Sequence, residues 1–177
     1  MEKGEFLILR NLLYNEEYIR KVIPFIKAEY FEDNNQKIIF EEIQKFVHEY
    51  NKPSTKEVLC IEIERRKDID DSSFQEITTL ITKLENSSVE FDWLVETTEK
   101  WCRDRAIYLA LMESIQLADG KDEKRGRDAI PEVLSDALAV SFDTNVGHDY
   151  LADYEQRYES YHRKEDKIPF DLEYFDK

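Results

Sequence analysis

The chain has 177 residues, of which 41% are apolar and 37% are charged, and its 40 acidic residues outnumber its 25 basic residues to give a formal net charge of −15. This charge opposes binding to nucleic acid or to an anionic membrane through the surface as a whole, because phosphates would be repelled. The length is sufficient for one compact domain plus an appendage, and the apolar content can supply a core.

Glycine and proline are scarce, with four of each, which favours long helices with short connections over a hairpin-rich β architecture. We therefore predict an all-α fold with a small helical bundle domain, a protruding helical hairpin, a hinge and a C-terminal linker helix. Apolar residues at helical spacing predict two short helices before Pro24 and a core-facing helix over residues 34–50. The apolar stripe of this third helix consists of Ile39, Ile43, Phe46, Val47 and Tyr50.

Three Ser-x-x-Glu patterns predict helix starts, because a hydroxyl and a carboxylate at this spacing satisfy each other's free helix-start amides. They are Ser54 with Glu57, Ser73 with Glu76, and Ser87 with Glu90. The segment VLCIEIE, which follows the first pattern, also alternates apolar and polar residues and could form a strand. A lone strand would leave its backbone unpaired, which favours the helix.

The longest periodic run extends from about residue 88 to residue 119 and would be roughly 45 Å long, too long to lie over one small core. Gly120 ends this run, and a second helix predicted over residues 129–141 makes a helical hairpin with it. The apolar side of the long helix consists of Leu94, Thr98, Trp101, Arg105, Tyr108, Leu109, Met112 and Ile115.

These patterns divide the chain into four parts. Residues 1–86 form a globular helical N-terminal domain, residues 87–142 the hairpin, residues 143–167 a hinge and linker helix, and residues 168–177 a connecting tail. If the segment YLADYEQRYESYH is helical, its aromatic side chains line one face. The face consists of Tyr150, Leu151, Tyr154, Tyr158 and Tyr161.

Little chain follows this aromatic face to cover it. Burying one apolar side chain of this size is worth about 1.5 to 3 kcal/mol relative to exposure, so several kcal/mol are available to whatever packs there. The face could pack back on the hairpin or dock on another chain, and we expect the second.

The sequence contains no clear motif for catalysis or for cofactor binding. The scattered glycines lack the order of a phosphate-binding loop, and the three histidines lack metal-ligand spacing. Trp93 and Trp101 with Arg103 and Arg105 could stack on bases and contact phosphates, but acidic neighbours on the same helix pair with the two arginines. We predict no catalytic, cofactor-binding or metal site in this chain.

The sequence predicts a cytoplasmic protein outside the membrane. Cys60 and Cys102 are far apart, which fits a reducing compartment where neither needs a partner. The start MEKGEFLILRNLL has too short an apolar run for a signal peptide, and no stretch approaches the roughly 20 apolar residues that span a bilayer.

Three stretches of the chain carry a resemblance to a known family: EYFEDNNQKIIFEEIQKF, WLVETTEKWCRDRA and AIPEVLSDALAVSFDTNVGHDYLADYEQRYESYHRKEDKIPF. They resemble the amino-terminal part of DnaB-type replicative helicases, in particular those of T-even-like bacteriophages. The resemblance covers essentially the whole chain, and it includes the order of the elements from the small helical domain to the linker helix. It ends in an I-P-F entry into what would be a RecA-like motor.

The resemblance implies that the intact relatives are ring-shaped hexamers that hydrolyse nucleotide, move along single-stranded DNA and unwind a replication fork in the phage-infected host. Their amino-terminal domains pair through the hairpins into a collar, where primase and helicase loader also bind. Their linker helix packs on the motor of the neighbouring subunit. The resemblance implies that Leu151, Tyr154, Tyr158 and Tyr161 would face this motor, with Tyr150 at the edge. The hairpin or its pairing surface would contain Trp101, Leu109, Met112, Leu134 and Leu138.

The chain stops at EYFDK, where members of the family that it resembles continue into the motor. We therefore expect no ATP hydrolysis by this chain, and we expect ATP, Mg²⁺ and most contacts with single-stranded DNA to belong to the absent motor. One alternative is a free-standing adaptor, such as a helicase loader or an inhibitor that mimics the collar. A second alternative is a small helical enzyme with an unrecognised site.

Overall fold

Seven α-helices and two short 3₁₀ turns make up most of residues 2–121 and 125–142, which are the residues that the computed structural model describes. No strand occurs in these two ranges, so the predicted all-α class is confirmed. The helices are α1 (Glu2–Tyr14), α2 (Glu16–Val22), α3 (Asn34–Tyr50), α4 (Lys56–Glu64), α5 (Asp71–Lys83), α6 (Phe91–Ala118) and α7 (Ile130–Leu138).

The first two helices are separated by a single residue that ends one and caps the other. The side chain of Asn15 accepts a hydrogen bond from the backbone N–H of Tyr18 at 3.0 Å, which satisfies one of the free donors at the start of α2. Acidic residues begin α2 and basic residues end it, in the order that the helix dipole favours. The two short helices predicted before Pro24 are therefore present.

The core lies between α1, α2, α3, α4, α5 and the first half of α6. The prediction that the whole stripe of α3 is core is wrong at its C-terminal end. Ile39 and Ile43 are fully buried, whereas Tyr50 is 54% exposed and Phe46 is half-buried. The reason is that Phe46 and Tyr50 line a cleft beside α4 that is open to solvent, where their ring centroids lie 4.6 Å apart with the planes tilted by 37°.

The three predicted capping boxes are displaced, although each predicted helix exists. Thr55 caps α4, Asp70 caps α5 and Glu90 caps α6, each by accepting hydrogen bonds from backbone N–H groups of the first turn. Neighbouring residues with the same acceptor chemistry compete for the cap position, so the box pattern locates a helix start only to within a few residues. The segment VLCIEIE is helical, within α4.

The long helix α6 begins inside the core and ends in a glycine turn. Leu94, Thr98 and Cys102 in its first half are buried. After its last turn, Gly120 has a φ of 70°. The N–H of Gly120 bonds the carbonyl of Leu117 at 3.1 Å, and the next N–H bonds the carbonyl of Gln116 at 3.0 Å. These are the two bonds of a Schellman motif, which needs a residue tolerant of positive φ at the glycine position.

Helix α7 runs back along α6 in the opposite direction. Near the end of α6, Arg127 donates from Nε to the carbonyl of Ala118 at 3.0 Å. At the other end of α7, Arg103 of α6 donates from Nε to the carbonyl of Val140 at 3.1 Å. The chain then reaches Phe142, which is buried against Phe25 with ring centroids 4.7 Å apart.

The described residues up to Phe142 pack as one compact unit. The predicted hinge and linker helix, with Tyr150, Leu151, Tyr154, Tyr158 and Tyr161, lie outside the described residues. The division into a globular domain and a hairpin at residues 86 and 87 stays a prediction, as do the functional boundaries that follow it.

Candidate oligomerisation surface on α6

The apolar side predicted for α6 is buried in its first half and exposed in its second half. Tyr108 is 52% exposed, Met112 46% and Ile115 56%, and all three lie on one helical face because they are three or four residues apart. Leu111, 49% exposed, flanks them. We call Tyr108, Leu111, Met112 and Ile115 the exposed stripe.

The opposite side of α6 already has a neighbour. Ala106 and Ala110 are buried and face Val133 and Ala137 of α7 across a narrow groove, where small side chains allow the two helices to approach closely. Helix α7 therefore covers the side of α6 that is away from the exposed stripe. Single exposed apolar residues are common on protein surfaces, but a continuous row of four large ones is typical of a contact surface.

The five residues predicted for the hairpin or its pairing surface differ in their exposure to solvent. Trp101 is half-buried and packs into the core, with its ring 6.0 Å from that of Tyr30 and 5.1 Å from that of Phe31. Leu109 and Leu134 are half-buried, whereas Met112 is exposed and Leu138 is 65% exposed. Their proposed role in assembly stays a prediction.

Periodicity placed Tyr108 and Ile115 on the apolar side of α6 but did not single them out as contact residues, and Leu111 was missed. The spacing shows which face a residue lies on, but the point at which the core ends depends on tertiary packing. The missing signal was the exposure of the stripe, which begins at Tyr108.

A buried arginine marks the point where α6 leaves the core. The side chain of Arg105 is 9% exposed, donates from Nε to the carbonyl of Tyr30 at 2.6 Å and donates from Nη1 to Oε1 of Glu32 at 2.6 Å. The guanidinium carbon lies 5.0 Å from the ring centroid of Tyr108, the first residue of the exposed stripe. A buried guanidinium needs such partners because it stays charged.

An acidic group from α1 joins this cluster. The carboxylate of Glu5 is buried and accepts a hydrogen bond from the N–H of Glu32 at 3.3 Å. Burial raises the pKa of Glu5 above its usual range. The charges of Glu32 and Asp33 act in the same direction, whereas the Glu32 N–H and the charge of Arg105 oppose it.

The described ranges show no cluster of metal ligands. No group of three or more His, Cys, Asp or Glu residues in them could hold a metal ion, and none of their helices could cross a bilayer. A groove of about 780 Å³ between α2 and α3 has no serine, threonine or cysteine in its lining. Its cations Arg20 and Lys45 are in ion pairs with carboxylates.

Comparison with known proteins identifies similar chains. Residues 2–92 match the protein family described as the DnaB-like helicase N terminal domain. The chain is 35% identical over 179 aligned residues to a DnaB-like replicative helicase of Enterobacteria phage T4. This alignment covers 97% of the chain and 38% of the relative, so the chain spans less than half the length of that protein.

Proposed function

Because the chain belongs to the DnaB-like helicase N-terminal domain family, we propose that it assembles the subunits of a phage replicative helicase and that the exposed stripe of α6 is its self-association surface. The observation that carries this proposal is the row of exposed apolar side chains from Tyr108 to Ile115. A second copy of the same chain offers the same apolar row and can cover it, as in the self-complementary interfaces of symmetric oligomers.

The contact between two stripes is weak by itself. Covering a half-exposed apolar side chain gives roughly 1 kcal/mol, and two copies contribute four such side chains each. Association costs about 4 to 15 kcal/mol in lost translational and rotational freedom. We therefore propose a reversible pair that becomes stable only when several subunits and contacts combine in a ring.

We further propose the finer features that the family resemblance implies. The intact assembly is a hexamer, its collar binds primase and helicase loader, and it works in the cytoplasm of the infected bacterium. ATP, Mg²⁺ and most of the single-stranded DNA bind outside these 177 residues. The T4 relative supports this proposal, because most of its length lies outside the aligned region.

The aromatic face of the linker segment is proposed to dock on the neighbouring subunit's motor. Replacing Tyr154 and Tyr158 by serine should leave the helical content of the N-terminal part unchanged but abolish ring closure in a full-length helicase that carries this segment. Far-UV circular dichroism and negative-stain electron microscopy measure the two effects. Double variants that still form complete rings contradict the proposed docking.

Sedimentation velocity of the purified chain over a wide concentration range tests the role of the exposed stripe. We expect the wild-type chain to associate reversibly and the Ile115→Glu variant to remain monomeric, because a carboxylate cannot be buried in an apolar contact without a partner. Ile61→Glu is the matched control, since Ile61 is also exposed, at 48%, but lies on α4. Equal association of the wild-type chain and the Ile115→Glu variant contradicts the proposal.

A further inference from the structure

Arg105 connects two parts of the molecule that are distant in the sequence. Its two acceptors, the carbonyl of Tyr30 and the carboxylate of Glu32, belong to the turn that follows α2, 75 and 73 residues earlier in the chain. Its guanidinium is also adjacent to the ring of Tyr108 on the next turn of α6. The same group therefore contacts the core and the start of the exposed stripe.

The chemistry of the guanidinium suits both contacts at once. It is planar, it remains charged at any physiological pH, and it has several N–H donors in a fixed arrangement together with a face that packs on aromatic rings. Two hydrogen bonds of 2.6 Å hold it in place. A lysine ammonium is a point charge on a flexible stem, and it cannot make both hydrogen bonds and pack a flat face on the ring.

We propose that Arg105 is a positioning residue for self-association, and that it acts through Tyr108. The clamp on Tyr30 and Glu32 fixes the guanidinium, and the guanidinium holds the half-exposed ring of Tyr108 in the orientation against which a second copy packs. A ring that is already ordered loses less conformational freedom when the interface forms. This inference rests on the proposed function of the exposed stripe.

A double-mutant cycle on the 177-residue chain tests the proposal. Sedimentation velocity gives the dimerisation constants of the wild-type chain, Arg105→Lys, Tyr108→Leu and the double variant. We expect Arg105→Lys to weaken association about fivefold when Tyr108 is present, which corresponds to the cost of ordering one side chain when an interface forms. In the Tyr108→Leu background, we expect the same change to have less than a twofold effect.

A second variant covers the case in which Arg105→Lys does not fold, as judged by circular dichroism. Glu32→Gln removes one acceptor charge at a half-exposed position while the hydrogen bond to Tyr30 remains. We expect it to weaken association at least twofold when Tyr108 is present and to have no effect in the Tyr108→Leu background. A purely structural role of Arg105 would change association equally in both backgrounds, and this result overturns the proposal.

The outcomes also separate this inference from the proposed function. A wild-type chain that stays monomeric at every concentration overturns both. In a second case, the wild-type chain associates and Ile115→Glu prevents the association, but Arg105→Lys has the same effect with and without Tyr108. This result overturns only the positioning role of Arg105.

Discussion

At the scale of single residues, the core contains a hydroxyl pair that the sequence did not explain. Thr98 lies on the apolar side of α6, fully buried, and its hydroxyl donates to the carbonyl of Leu94 at 2.7 Å. It therefore accepts from the hydroxyl of the fully buried Tyr18, 2.7 Å away. Burial raises the pKa of Tyr18 above its usual range, so the phenol keeps its proton and remains a donor.

Removing the hydroxyl of Tyr18 or that of Thr98 should lower the stability of the protein by different amounts. Tyr18→Phe leaves Thr98 bonded to Leu94, and we expect a loss of about 1 kcal/mol in the free energy of unfolding. Thr98→Val leaves a buried phenol without an acceptor, and we expect a larger loss of about 1 to 3 kcal/mol. Urea unfolding monitored by circular dichroism measures both. A Thr98→Val variant as stable as Tyr18→Phe contradicts the assigned donor and acceptor.

Glu5 predicts a pH dependence of stability. Since its pKa is higher in the folded protein than in the unfolded chain, the stability that it contributes is fully present below the unfolded value and is lost as the pH rises through the folded value. Glu5→Gln removes the charge and keeps an acceptor for the N–H of Glu32. We expect the variant to unfold at higher urea than the wild type at pH 7, with a difference that shrinks toward pH 4. A difference that grows as the pH falls contradicts this account.

Arg105 shows what residue patterns alone cannot supply. Periodicity correctly placed it on the apolar side of α6, where a charged residue is unexpected. The sequence predicted that acidic residues of the same helix pair with it. Its actual partners, Tyr30 and Glu32, come from a turn more than 70 residues away. Such contacts follow from the tertiary fold, which the spacing of residues within one helix does not encode.

At the scale of elements, the existence of the helices was predictable, because each apolar row repeats at the helical period. Helix α3 has the predicted bounds, and α6 begins about three residues later than predicted. The caps were less predictable, because adjacent residues compete for them. The exposure of the stripe on α6 was not predictable, since burial depends on where the neighbouring helices end.

The start of α4 offers a direct comparison of the predicted and observed caps. Thr55 accepts from the N–H of Val58 at 3.3 Å, whereas the hydroxyl of Ser54 is buried without a hydrogen-bond partner among the described residues. We expect Thr55→Ala to lower the free energy of unfolding by about 1 kcal/mol. We expect Ser54→Ala to be neutral or stabilising, because it removes a buried polar atom that has no partner.

Thermal unfolding of the two alanine variants measures this difference. The matched pair controls for the general effect of alanine at the start of the same helix. If Ser54→Ala is the more harmful change, Ser54 rather than Thr55 caps α4 and the original pattern was correct.

At the scale of the whole molecule, net charge and the apolar stripe act in opposite directions on assembly. Each copy carries a formal charge of −15, so two copies repel each other. The exposed stripe is apolar and gains little from ion pairs. We therefore expect self-association of the chain to strengthen as the salt concentration rises from about 50 to about 500 mM, because salt screens the repulsion. Sedimentation velocity at each concentration measures the effect, and weaker association at high salt would indicate a contact held by ion pairs instead.

The central claim is that the exposed stripe faces the same stripe of a second copy. A benzophenone amino acid introduced at position 115 and activated by light, followed by mass spectrometry of the cross-linked peptides, tests it most directly, with position 61 on α4 as the control. The account predicts a covalent dimer from position 115, joined to residues 108–115 of the other copy, and little dimer from position 61. Cross-links from position 115 that stay within one chain, or that reach another surface of the second copy, would contradict it.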